Sequence, residues 1–180
     1  GLPFKGNYRK STLHAVSKSL IYPVPHPINP FLGVHTTITH DGYLKIGPTA
    51  LLSLGRENYS GWAGLSYPEM IEILRTARYL GKGSAHDILE IISFELPLLL
   101  KRNLLKSAAK LSLEVNVNGE WEKLESGIRS QLVNLSNGEL VQDFVVERHL
   151  NSLHFLNIVS PGWTSALPFT RHFTNEFLNS

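Results

Sequence analysis

The sequence predicts an α+β fold: a mostly antiparallel mixed sheet, a helical insertion and a C-terminal helix. Three observations carry this. Short apolar runs punctuated by Pro, Asn, Asp and Gly fill the first third, residues at helical spacing fill the middle, and short runs return before a final helical stretch. No internal repeat or low-complexity tract interrupts the pattern.

Taken in order, Leu2–Tyr8, Leu20–Val24, Leu32–Thr39 and Tyr43–Ile46 are the first predicted strands. Asp41-Gly42 lies between two of them and predicts a two-residue hairpin, because Gly accepts the positive φ of such turns. Pro23, Pro25, Pro27 and Pro30 cannot donate to a ladder, so 22–30 is expected to be an edge or a loop rim. Tyr67–Leu80 carries Ile71, Leu74 and Arg78 at helical spacing, with Pro68-Glu69 suited to a first turn and Gly81 and Gly83 to its end. A second helical stretch runs from Ser84, the expected N-cap with Asp87 three residues on, to Ala109. Pro97 is expected to split it near Phe94, since proline lacks the amide and clashes with the preceding turn. Residues 67–110 thus form the helical insertion. Ile128–Val133, Phe144–Arg148 and Leu153–Ile158 are the last strands, with Asn137-Gly138 as a turn, and Thr164–Leu178 closes as a helix.

Bulk properties exclude several function classes. The 180 residues suit one medium domain, and 42% hydrophobic with 18% charged residues is a globular composition. A net charge of +2 with scattered basic residues offers no concentrated face for nucleic acid. Without cysteine there is no disulfide, iron–sulfur cluster or thiolate zinc site, which fits a cytoplasmic protein. The chain begins at Gly1 with no signal-peptide layout and reads as a fragment. Gly81-Lys-Gly83-Ser-Ala-His86 lacks the third glycine of a dinucleotide fingerprint and follows a helix rather than a strand. There is no Walker loop and no nucleophile elbow.

Two candidate anion sites remain. Arg129, in Gly127-Ile-Arg129, could clamp a carboxylate through two charge-assisted hydrogen bonds; the alternative is a surface ion pair. The turn Ser160-Pro161-Gly162-Trp163-Thr164 opens a helix whose free amides could stabilise charge on a cofactor; the alternative is a plain strand-to-helix turn. Among eight histidines, His35 shares a strand face with Gly33 and Thr37, where Gly33 leaves room for a bulky neighbour; a satisfied strand histidine is the alternative. His14, His26, His40 and His86 read as loop residues, His149 and His154 flank a turn, and no spacing suits a metal. Ile91–Leu100 is too short to span a bilayer, yet Arg75, Arg78, Lys82, Lys101, Arg102, Lys106 and Lys110 surround it. It is read either as a helix pair covering the sheet or as contact with the inner face of an anionic membrane.

Several segments, in order, are similar to one family. They are Pro3-Phe4-Lys5-Gly6-Asn7-Tyr8, Ile21-Tyr22-Pro23-Val24-Pro25, Pro30-Phe31-Leu32-Gly33-Val34-His35, Asp41-Gly42, Gly47-Pro48-Thr49-Ala50 and Arg56-Glu57-Asn58-Tyr59. Ser126-Gly127-Ile128-Arg129-Ser130-Gln131-Leu132-Val133 and the stretch from Asn157 to Ser165 complete the set. Together they resemble the C-terminal half of the L-2-hydroxyglutarate dehydrogenase/oxidase group of D-amino-acid-oxidase-like, FAD-dependent oxidoreductases. The resemblance implies a substrate domain, with the main FAD-binding domain upstream. It implies that Arg129 holds the substrate carboxylate, that His35 contacts the substrate hydroxyl as base, and that Tyr22 lines the substrate site. Ser160, Pro161, Gly162, Trp163, Thr164 and Ser165 would face the flavin, within a strand–turn–helix over 153–180. The implied reaction oxidises a small 2-hydroxy acid, L-2-hydroxyglutarate foremost, with hydride passing to FAD and a quinone or oxygen as final acceptor. This chain by itself is expected to bind FAD poorly and to be inactive. An amino-acid oxidase fragment and a non-catalytic membrane-surface or partner-binding module stand as alternatives. Two departures from the family pattern are Lys5, where Arg is usual, and Gly162-Trp163, where small alanines are usual.

Overall fold

A computed structural model describes residues 1–24, 31, 33–80, 85–159 and 161–178, with backbone alone for 85–88. The expected Ser84 cap with Asp87, the Gly81 and Gly83 stop, the rim prolines 25, 27 and 30, and His26 and His86 fall outside the described positions or side chains. The chain divides into two units, Gly1–Leu140 and Val141–Ser180.

The first unit runs β1 (Leu2–Gly6), β2 (Arg9–His14), β3 (His35–Ile38), β4 (Tyr43–Gly47), β5 (Leu51–Leu52), α1 (Tyr67–Ala77), α2 (Ala85–Glu95), α3 (Lys101–Ala109), β6 (Trp121–Lys123) and β7 (Gly127–Gln131). The second unit holds β8 (Val145–His149), β9 (Ser152–Asn157) and α4 (Ala166–Leu178). Every strand pairing among the described residues is antiparallel, and the strands fall into three sheets rather than one mixed sheet: β5-β1-β7, β3-β4-β2-β6 and β8-β9.

The β3–β4 hairpin closes as expected around Gly42, whose φ of +83° is costly for a residue carrying a Cβ. Leu20–Val24 is not a strand; only Ile21 bridges to Thr36. β2 is missing from the sequence prediction because Arg-Lys-Ser-Thr-Leu-His shows no apolar alternation. It is nonetheless central, held by ladders to β4 and β6 on its two sides. His14, expected in a loop, ends that strand and stacks on Tyr43 at 4.3 Å. β6 was hidden in the charged stretch 120–125, where Trp121 alone turns inward and its indole N–H donates to the Asn116 carbonyl at 2.9 Å.

Two apolar cores fix the layers. α3 lays Leu104, Leu105 and Ala108 on Val34, Leu44, Ile46 and Trp121 of the four-stranded sheet. α1 and α2 place Ile73 and Ile91 in one cluster with Leu2 and Phe4 of the three-stranded sheet and with Phe31 and Ala50. The inward face of α1 is therefore centred on Ile73, with Ala77 and Leu80 packed beside it; Leu74 is exposed. The helical period is the one expected. Pro97 acts as expected: α2 stops at Glu95, a 3-10 turn spans Leu96–Leu99, and α3 restarts at Lys101 after Leu100 adopts an extended conformation. In the second unit, Phe169 and Phe173 of α4 stack with Phe144 and Phe155 at centroid distances of 4.3 to 6.2 Å, which seats the helix on the hairpin.

Leu105 is fully buried, so Leu105→Ala is expected to cost about 2–5 kcal/mol in urea unfolding, whereas Leu74→Ala on the outer face of α1 should change stability by less than about 0.5 kcal/mol.

Candidate functional site

The three-stranded sheet builds one side of a site. β1 pairs with β7 in the register Leu2↔Gln131, Phe4↔Arg129 and Gly6↔Gly127, which brings Arg129 next to Phe4 across more than a hundred residues of chain. The guanidinium carbon lies 5.5 Å from the centre of the Phe31 ring, and Phe31 itself stacks on Phe4 at 4.6 Å. Arg129 is half-buried against this aromatic wall. Burial alone lowers its pKa, and among the described residues no carboxylate pairs with it. The surface-ion-pair reading of Arg129 therefore has no partner here.

The hairpin supplies the other side. His35 opens β3 opposite Gly47, and its Nδ1 lies 3.2 Å from the Gly33 carbonyl oxygen. That contact places the ring proton on Nδ1 and leaves Nε2 as the acceptor. Tyr22 stacks on the imidazole at 4.5 Å. Burial lowers the His35 pKa most; the Gly33 hydrogen bond raises it, and the Lys45 charge lowers it further. The room beside Gly33 is filled by Pro23, whose ring would lie 3.2 Å from a Cβ at position 33.

Arg129 and His35 line one hollow of ≈ 270 Å³, together with Phe4, Tyr8, Phe31 and Thr49. Its rim is braced by Asn7. The Asn7 amide donates to Thr49 Oγ1 at 3.1 Å, and Asn7 Oδ1 accepts from Ser126 Oγ at 2.8 Å. Glu95, buried at the end of α2, accepts the Ala50 amide at 2.7 Å and so ties the helical segment to the same wall. A hollow lined by aromatic rings, with one cation and one neutral imidazole, can hold the carboxylate of a small acid and accept a proton from a hydroxyl on the same molecule.

Tyr8 was not singled out from the sequence, though it closes the Pro3–Tyr8 motif. Its ring rests over Gly6 and Gly127, where added Cβ atoms would lie 3.7 and 3.8 Å from Cε2. At Gly47, where φ is +130°, a Cβ would fall 2.8 Å from Tyr8 Cδ1 and 2.6 Å from the Asn7 carbonyl. The spacing of these glycines around an aromatic residue was the available signal. Burial raises the Tyr8 pKa, with Tyr22 adding to the shift, so the phenol stays protonated.

Other motif residues prove structural. Lys5 donates to Asn58 Oδ1 at 3.0 Å, while Asn58 Nδ2 donates to the carbonyls of Gly61 and Ala63, binding the 55–64 loop to β1. The flavin-facing candidates lie in the second unit, apart from Ser160, which is outside the described residues. Helix α4 starts at Ala166, not at Gly162 or Thr164; in the turn before it, the Thr164 and Ser165 hydroxyls and the Ser165 amide all donate to the Pro161 carbonyl. The amides of Gly162, Trp163 and Thr164 donate to no backbone carbonyl among the described residues. The Trp163 side chain is 94% exposed. A Cβ at Gly162 would fall 2.7 Å from Ile158 Cγ2, which explains a glycine there. Among the described residues no cluster of His, Asp and Glu could hold a metal ion.

Comparison with known proteins follows the same direction. No family model matches the chain. An L-2-hydroxyglutarate dehydrogenase of Salmonella houtenae is 33% identical over 176 residues, covering 97% of this chain and 41% of the relative. That of Escherichia coli K12 is 32% identical over 179 residues with the same coverages. The mitochondrial L-2-hydroxyglutarate dehydrogenase of Caenorhabditis elegans is 32% identical, over 99% of this chain and 42% of the relative. The resemblance carried by the motifs is thus real along nearly the whole chain, which spans about two fifths of the length of these relatives.

The lowered pKa of His35 has a measurable consequence. The folded protein holds that proton less tightly than the unfolded chain, so stability from this group is full above the ordinary value of 6.5 and is lost as pH falls through the folded value. His35 should titrate below 6.5 by NMR, and His35→Gln should flatten the fall in stability on acidification.

Proposed function

We propose, from this homology to the L-2-hydroxyglutarate dehydrogenases, that the chain is the substrate-binding part of an FAD-dependent oxidoreductase that converts L-2-hydroxyglutarate to its 2-oxo acid. The observation that carries the reading is the meeting of Arg129 and His35 in one hollow. That meeting is independent of the comparisons, since the two residues belong to different sheets. Residues 1–180 act as a substrate/catalytic domain fragment, with 67–110 as its helical insertion and 153–180 as the flavin-facing strand–turn–helix.

Arg129 grips the 2-hydroxy acid's carboxylate with two parallel N–H donors, and the anion relieves a half-buried cation that has no carboxylate partner among the described residues. His35 Nε2, kept unprotonated by burial and by Lys45, accepts the proton of the 2-hydroxyl. Tyr22 holds the imidazole plane by stacking. The aromatic wall of Phe4 and Phe31 excludes water around the reacting carbon. FAD, when bound, supplies the two-electron acceptor for the hydride leaving C2. The amides of Gly162, Trp163 and Thr164 in the 161–165 turn suit an electron-rich ring edge, which supports their assignment to the flavin.

Flavin reduction in the holoenzyme tests this. Arg129→Lys keeps the charge but loses the fork, and should lower kcat/KM for 2-hydroxyglutarate about 100-fold, or about 2–3 kcal/mol. A flavin bleached by 2-amino acids but not by 2-hydroxy acids would move the assignment to an amine oxidase.

A second reading is favoured by one surface. Leu89, Ile92, Phe94, Leu96, Leu99 and Leu100 are exposed on α2 and the turn after it, next to exposed Lys101, Arg102 and Lys106. No helix among the described residues is long and apolar enough to cross a membrane. The face suits peripheral contact with an anionic bilayer. The protein should co-float with anionic vesicles but not with neutral ones, and Leu96→Glu with Leu99→Glu should abolish flotation. Absence of flotation by the folded wild-type protein removes this reading.

A further inference from the structure

Beside the Arg129 hollow lies a second one of ≈ 490 Å³, lined by Tyr8, Lys45, Tyr59, Glu125, Ser126 and Gly127. The two share Tyr8 and Gly127, so one tyrosine ring stands at the boundary of both. Lys45 lies at that boundary too. Its Nζ sits 4.9 Å from the centre of the Tyr8 ring. In the β3–β4 ladder, Lys45 is opposite Thr37 and Gly47 is opposite His35, which makes Lys45 the diagonal neighbour of His35 on one sheet face. The Lys45 charge is felt at the imidazole, as expected of that closeness.

Among the described residues, no carboxylate lies within salt-bridge distance of Lys45. Its cross-strand neighbour Lys10, by contrast, is engaged by Asp41 at 3.5 Å and Glu122 at 3.8 Å. Among the residues lining the two hollows, the cations Arg129 and Lys45 both lack a carboxylate partner among the described residues, and both lie close to the same imidazole and the same tyrosine. A ligand with one carboxylate leaves one of them unanswered. Resting on the reading that Arg129 grips the 2-hydroxy acid carboxylate, the geometry points to Lys45 as the receptor for a second carboxylate, at the far end of a dicarboxylic substrate. Tyr8 holds the ammonium in place through its ring face, and the cradle of Gly6, Gly47 and Gly127 lets that ring sit where it does. Lys45 thereby sets the choice of dicarboxylates over monocarboxylates of the same chain length.

Calorimetric titration of the intact protein with glutarate and with butyrate separates the two cations. Wild type should bind glutarate at least about tenfold more tightly than butyrate. Lys45→Gln should weaken glutarate to the level of butyrate and leave butyrate unchanged, and Lys45→Arg should restore the preference. Arg129→Gln should weaken both ligands. A glutarate preference that survives Lys45→Gln, or an equal loss of both ligands in that variant with an unchanged circular dichroism spectrum, overturns the role of Lys45. If butyrate binding ignores Arg129→Gln, or if neither ligand binds the wild type, the carboxylate grip itself fails and Lys45 falls with it.

Discussion

The antiparallel pairing of β1 with β7 is the constraint on which the rest of the first unit depends. It joins the beginning of the chain to residues 127–131 and closes a loop that contains both helical layers and the whole four-stranded sheet. Closing a long loop costs entropy that rises only slowly with its length, so a five-residue ladder with Leu2 and Phe4 buried beneath it can offset that cost. The same register that buries Leu2 sets Arg129 against Phe4. A slip by one residue would turn Arg129 to the other face and empty the hollow of its cation. Stability and site geometry are thus one specification here.

The glycines of this joint explain how a bulky ring fits where two sheets approach. Gly6 and Gly127 face each other in the ladder, and Gly47 stands at the end of β4, so three backbones come close without side chains between them. Tyr8 occupies the space they leave. A side chain there is held by backbone rather than by flexible neighbours, which fixes its position where the two hollows meet. Around it, the side-chain oxygens of Thr49 and Glu95 accept the Asn7 and Ala50 amides at the wall, which keeps these polar groups paired without extending a strand.

Legibility in the sequence followed the physics of each element. The β3–β4 hairpin, the break at Pro97 and the last hairpin could be read because Gly, Pro and apolar alternation act locally. β2 and β6 could not: their residues are polar or charged, and what makes them strands is pairing with distant segments. The covered face of α1 is not legible in the sequence, because Ile71 and Leu74 look as apolar as Ile73 and the sheet decides which of them is covered. In the site, Arg129 and His35 were candidates from their chemistry and strand setting, Tyr22 only through motif resemblance, and the meeting of Arg129 and His35 is a tertiary fact that no spacing along the chain displays. Tyr8 and Lys45 escaped notice because one looked like a core aromatic and the other like a solvated strand lysine. The start of α4 was placed too early, since Thr164 and Ser165 looked like caps but turn their hydroxyls back to Pro161.

Charge and burial at His35 finally account for how one arrangement can serve both grip and proton acceptance. A base working near neutral pH must be unprotonated before substrate arrives, and an imidazole in water at that pH is only partly so. Burial beneath Tyr22 disfavours the imidazolium, and the nearby Lys45 ammonium disfavours it again. Those influences work against the Gly33 hydrogen bond, whose main effect is to fix which nitrogen is free. On the proposed reading, a carboxylate seated on Lys45 would offset the one charge that lowers the His35 pKa, so the imidazole would become a stronger base once substrate is bound. The cation that chooses the acid would then also time the basicity of the group that takes its proton.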